Sequence, residues 1–91
     1  MVKEKINPAE HPDYQIKEPN QLLLFNDDVN SFDFVIETLV EVCQHDPMQA
    51  EQCAWIAHLK GKCTVKSGEF TELKPIHDEM SNRGLTVSIE K

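Results

Sequence analysis

Four consecutive apolar residues, Leu22 to Phe25, run directly into Asn26-Asp27-Asp28, and a second apolar pattern opens at Phe32. The first run reads as a buried strand over 21–25, covered on both faces or central in its sheet. The second reads as a helix. Phe32, Val35, Ile36, Leu39 and Cys43 recur at helical spacing, with Glu37 and Glu41 on the opposite side. Only a short turn fits between the two, with Asn30 or Ser31 able to cap the helix. That turn therefore holds two carboxylates and two amides between greasy elements. Such chemistry suits a small cation beside an apolar surface, and the acids would repel nucleic-acid phosphates.

Downstream, Asp46-Pro47-Met48-Gln49 marks a second helix start, with Asp46 as N-cap, Pro47 first in the helix and Gln49 completing a capping box. This helix runs over 47–60 and stops at Gly61, a residue suited to the left-handed position past a helix end. It carries a bulky stripe (Met48, Trp55, Ile56, Leu59) and a small one (Ala50, Cys53, Ala54, Ala57). The small stripe should let another element approach closely, with His58 at its border. Cys63 and Val65 alternate with Lys62, Thr64 and Lys66, a half-buried strand turning at Ser67-Gly68. Thr71 is the expected cap of a third helix reaching Arg83, with Pro75 in or near its first turn. Gly84 ends it, and Leu85, Val87 and Ile89 alternate into a last strand. The order β-α-α-β-α-β predicts an α+β fold, a small three-stranded antiparallel sheet packed with three helices.

Residues 1–19 contain three prolines and few sizeable apolar groups, so they are expected to form a flexible N-terminal tail ahead of one domain over 20–91. The net charge is −7, with three basic against four acidic residues in 1–19 and six against twelve in 20–91. An acidic body argues against nucleic acid and anionic membranes as partners and favours basic ones. No run approaches the roughly 20 apolar residues of a membrane span, and no secretory leader is evident, so a cytoplasmic protein is expected. Small size and an acidic surface point to a monomer. Cys43, Cys53 and Cys63 match no zinc spacing and read as reduced packing residues, and His11, His45 and His77 as solvent-facing.

Three chemistries compete for the acidic turn. Asn26, Asp27, Asp28 and His58 could converge on an α-ammonium group, which offers three N–H donors and one positive charge. The plainer alternative is that Asp27, Asp28 and Asn30 only shape the turn and cap the helix. A calcium loop starting at Asn26 would place Asp28, Asn30 and Glu37 at ligand positions, but Ser31 stands where the loop needs glycine. Catalysis finds no nucleophile motif and no phosphate loop, so no enzyme, metal or cofactor is expected.

The stretches LLLFNDDVNSFDFVIETLVEV, DPMQAEQCAWIAHLKGKC and GLTVSIEK resemble the ClpS family, small adaptors of Clp AAA+ proteases, and look most like its Bacteroidetes-type members. The resemblance implies a non-enzymatic adaptor. It would bind proteins with a bulky hydrophobic N-terminal residue (N-degrons) and deliver them to a ClpA- or ClpC-like unfoldase, the tail being engaged during delivery. Asn26, Asp27, Asp28 and His58 would receive the α-amino group, and Asn30, Phe32, Val35, Ala54, Ala57 and Leu85 would line the side-chain pocket. A docking domain that has lost N-degron binding is the alternative. The chain departs from the family pattern at Asn30-Ser31, where Thr-Pro is common, and at Phe32 and Ala54, where methionines are usual. Ala54 should widen the pocket and Phe32 refill part of it, shifting preference toward tolerance of Ile and Val. The hairpin near Gly68 appears longer than usual, and residues 70–83 align poorly with the family.

Overall fold

The computed structural model describes residues 18–91, so most of the expected tail lies outside the described residues. The elements are β1 (Asn20–Phe25), α1 (Phe32–Val42), α2 (Pro47–Lys60), β2 (Lys62–Gly68), α3 (Phe70–Asn82) and β3 (Thr86–Glu90). The sheet order is β2-β1-β3 with both pairings antiparallel, as expected from the sequence. β1 is central, which accounts for its unbroken apolar run. Leu22 and Leu24 join Leu39 and Cys43 of α1, Ala50, Cys53 and Ala57 of α2, and Leu73 and Met80 of α3 in one core. The chain thereby buries one face of the sheet under three helices.

Local chemistry sets most boundaries. The Ser31 hydroxyl accepts from the Phe34 N–H at 3.0 Å, and the Asp46 carboxylate accepts from the Gln49 N–H at 2.9 Å. Each satisfies a donor that the first helical turn leaves open. The small stripe of α2 faces inward, with Ala50, Cys53, Ala54 and Ala57 buried, while Met48, Trp55, Ile56 and Leu59 face solvent. Close approach of the helix backbone to its neighbours has been taken in preference to burying the larger side chains. Burial also raises the Cys43 thiol to about 11. It raises Cys63 to about 12, with the neighbouring Cys53 thiol adding to the effect. Both remain protonated at neutral pH and serve as packing groups.

Several expectations need correction. The third helix starts at Phe70 behind Glu69, because Glu72 reaches back to accept from the Glu69 N–H at 3.1 Å, so Thr71 is not the cap. Pro75 consequently lies inside α3. β2 continues through Ser67 to Gly68, paired with Asn20 and Gln21, where a turn was expected. His45 is buried, not solvent-facing, and its Nε2 lies 2.7 Å from the Val65 carbonyl oxygen. The cause is a register shift between Leu22 and Leu23 that leaves Val65 as the extra residue of β2. A β-bulge interrupts the ladder, and the imidazole donates to the carbonyl exposed there. His77 is half-buried and lies 3.0 Å from an Asp78 carboxylate oxygen, while His11 lies outside the described residues.

Replacing His45 with alanine strands the Val65 carbonyl in the core. A loss of about 1–3 kcal/mol is expected for a buried group left unsatisfied, read as a lower urea midpoint. An unchanged midpoint would mean that the bulge carbonyl finds another donor.

Candidate functional site

β1 ends where β2 and β3 begin, since Phe25 pairs with Lys62 on one side and Thr86 on the other. All three loops at that edge of the sheet therefore meet. The ladder gains one further rung, in which the Asn26 N–H donates to the Gly61 carbonyl at 2.9 Å. Gly61 has φ +95°, a left-handed conformation that glycine adopts without strain. It turns the chain out of α2 with its carbonyl toward Asn26. His58, one turn earlier on α2, is thus brought to the same place as the acidic turn.

Within that turn the Asp27 carboxylate serves the backbone. Its Oδ1 accepts from the N–H groups of Val29 at 2.9 Å and Asn30 at 2.8 Å, and its Oδ2 accepts from the Asn30 amide at 3.0 Å. Burial pushes the Asp27 carboxyl up, but the hydrogen bonds from Asn30 and Val29 outweigh it and hold the group below its ordinary 3.8. Asn30 also donates to the Gly84 carbonyl at 2.9 Å, pinning the β1–α1 loop to the turn between α3 and β3. The turn-shaping reading of Asp27 and Asn30 is therefore part of their geometry.

Beside this turn lies a cavity of about 210 Å³. Of the residues expected at a site, Asn26, Asp27, Asn30, Phe32, Val35, Ala54, Ala57 and His58 line it. Leu24 and Phe25 line it as well, which the sequence reading missed by treating the strand as core alone. The signal was available, since these two residues abut Asn26 directly. Asp28 is exposed and does not line the cavity, and Leu85 is buried in the core instead. The reason for Leu85 is the end of α3, where Gly84 N–H donates to Ser81 at 2.9 Å and Leu85 N–H to Met80 at 3.1 Å. This paired closure draws the residue after the glycine back against the helix it terminates.

The walls are apolar except at one rim. Among the described residues the Asn26 amide and the His58 imidazole engage no hydrogen-bond partner, so both are open to a ligand. Three of the roughly four acceptor sites of a carboxylate are occupied on Asp27. No group of three or more His, Cys, Asp or Glu side chains among the described residues is arranged to hold a metal ion.

Residues 15–88 match the family described as ATP-dependent Clp protease adaptor protein ClpS. The chain belongs to the ClpS family. It is 34% identical over 64 residues to the ATP-dependent Clp protease adapter protein ClpS of Nitratidesulfovibrio vulgaris, covering 66% of this chain and 64% of that one. To the ClpS adapter of Sodalis glossinidius it is 29% identical over 79 residues, covering 85% and 71%. Its fold is shared with Agrobacterium tumefaciens ClpS2, solved bound to L-phenylalaninamide, at a TM-score of 0.68 and 24% identity. The match covers 80% of this chain and 95% of that one. The ClpS fold thus accounts for the six elements, and among the described residues no helix is long and apolar enough to cross a membrane.

The lowered Asp27 carboxyl carries a pH signature for stability. A depressed carboxyl contributes stability that is complete above its unfolded value, about 3.9, and is lost as pH falls through the folded value. The urea midpoint of the parent should exceed that of Asp27→Asn at pH 6, and the gap should close as pH falls from 4 to 2. A gap independent of pH would show that the charge takes no part in the turn.

Proposed function

We propose that this chain is an adaptor that captures proteins by a free N-terminus carrying a bulky hydrophobic residue and presents them to a Clp-type AAA+ unfoldase. The observation that carries the reading is an apolar cavity with unengaged acceptors at a single rim. An N-terminal residue has the matching layout, an ammonium group and a side chain on the same carbon. The Asn26 carbonyl oxygen and a ring nitrogen of His58 accept from the ammonium. Asp27 adds its charge and remaining acceptor site, and exposed Asp28 adds negative potential at the entrance. Phe32, Val35, Ala54 and Ala57, with Leu24 and Phe25, receive the side chain.

Size supports the assignment. Apolar protein cavities of about 150 Å³ take up benzene, so about 210 Å³ accommodates a phenyl or isobutyl group. L-Phenylalaninamide, the ligand of the A. tumefaciens relative, has this pairing of a free α-amino group with an aromatic side chain. The reading asks for no catalysis. Its Cys43 and Cys63 thiols are held protonated, and the acidic turn recognises charge without transferring a group. Residues 1–19 are engaged by the unfoldase, which is ClpA- or ClpC-like, and the adaptor works as a cytoplasmic monomer.

Fluorescence anisotropy of labelled peptides starting with Phe, Leu, Tyr, Trp, Ile or Arg tests the reading. Bulky hydrophobic starts should bind and lose binding on N-acetylation, since acetylation removes both the charge and two donors. Indifference of all free N-termini would leave a docking domain without N-degron binding.

Ala54 sets the room in the cavity. Ala54→Met should fill part of it and weaken β-branched Ile and Val starts relative to Phe and Leu. An unchanged ranking of N-terminal residues would show that position 54 does not set the specificity.

A further inference from the structure

Trp55 is the only tryptophan of the chain and is 46% exposed. It belongs to the outward stripe of α2 and does not line the cavity. Its ring nevertheless touches two residues that do. The Phe32 ring lies 4.8 Å from it, centroid to centroid, with the planes tilted by 57°. The His58 ring lies 5.9 Å away at 76°, an edge-to-face arrangement. Both separations and both tilts fall in the favourable range for aromatic pairs.

We infer that Trp55 is a positioning residue that holds Phe32 as a cavity wall and fixes the orientation of the His58 imidazole, and so sets both affinity and selectivity for N-terminal residues. The inference rests on the adaptor reading above and adds a residue outside the cavity to it. Its physical basis is the exposure of the two groups it touches. Phe32 is only half-buried, and His58 is exposed with no hydrogen-bond partner among the described residues. A phenyl ring at the mouth of an open cavity has other rotamers available, and so has an unbonded imidazole. One indole contacts both the group that shapes the apolar wall and the group that accepts from the ammonium.

The position in the sequence explains why one side chain serves both. Residues three apart on a helix are neighbours, so Trp55 reaches His58 within α2. Phe32 begins α1, which packs across α2. Small Ala54 beside Trp55 leaves the cavity open, while the bulk at 55 stands outside it and packs on Phe32. The helix has its large ring adjacent to the site without filling it.

The test uses the full chain and its Trp55→Ala and Trp55→Phe variants, with labelled peptides starting with Phe and Ile. Losing the restraint of two aromatic pairs should weaken binding of the Phe-starting peptide, by at most roughly tenfold. Phe-over-Ile selectivity should shrink in Trp55→Ala and return largely in Trp55→Phe. Thermal midpoints of the three proteins establish that each is folded at the assay temperature. Loss of selectivity with recovery by phenylalanine is not expected of a residue that only stabilises the helix.

The native emission of Trp55 provides a second reading. Titration with unlabelled L-phenylalaninamide should change it saturably in the parent, and N-acetyl-L-phenylalaninamide should not. A parent that binds Phe-starting peptides while Trp55→Ala matches it in affinity and selectivity overturns the positioning role and leaves the adaptor reading standing. The same holds if binding leaves the Trp55 emission unaltered. A parent that binds no free N-terminus overturns both.

Discussion

The Asn26 N–H to Gly61 carbonyl hydrogen bond is the joint on which the site depends. It is one more rung of the β1–β2 ladder, yet its two ends belong to the acidic turn and to the residue that terminates α2. Its formation requires Gly61 in the left-handed region, since that φ directs the chain from helix into strand within a single residue. It adds to the Phe25–Lys62 pairing beside it in fixing the Asp27 carboxylate against the His58 imidazole. The two share one rim.

A second tie crosses the same edge of the sheet. Asn30 donates to Asp27 within its own loop and to the Gly84 carbonyl in the loop before β3. Because β1 runs antiparallel to both neighbours, its C-terminal end lies beside the N-terminal ends of both. The three loops are then linked through Asn26 on one side and Asn30 on the other. The roles within Asn26-Asp27-Asp28 divide accordingly. Asn26 contributes its backbone to the ladder and keeps its side chain open, Asp27 orders the turn, and Asp28 stays in water.

What could be read from the sequence was chemistry local to a few residues. Caps at Ser31 and Asp46, glycine ends at 61 and 84, alternation in β2 and the strand-turn-helix around Asn26 depend on near neighbours, and the structure reproduces them. The residues that eluded the sequence reading answer to partners far along the chain. His45 is buried because a bulge twenty residues later frees a carbonyl, and no feature near His45 announces that. Leu85 has the alternation of a strand residue, but the closure of α3 takes it into the core. Thr71 was a reasonable cap by residue type, and Glu69 displaced it because Glu72 could fold back at Gly68. A side chain at 68 would meet the Glu72 carboxylate oxygen at 2.5 Å, so the glycine makes room for the fold-back and is not needed there for its φ.

The distribution of bulk along α2 ties packing to recognition. A helix that buries alanines and a cysteine while exposing Met48, Trp55, Ile56 and Leu59 forgoes apolar burial of about 25 cal/mol per Å². It gains in return a short distance between its axis and the neighbouring elements, and that short distance is what closes a cavity of about 210 Å³. Larger residues at 54 or 57 would occupy that volume and push α2 away from Phe32 and Val35. Smaller residues on the outer face would leave the cavity its volume but release Phe32 and His58 from Trp55. The two stripes thus act on one opening from its two sides, the inner stripe through the room available and the outer through the rigidity of the wall. Under the adaptor reading proposed above, selectivity among N-terminal side chains follows from the pair of them, because a cavity discriminates by shape only as far as its walls hold still.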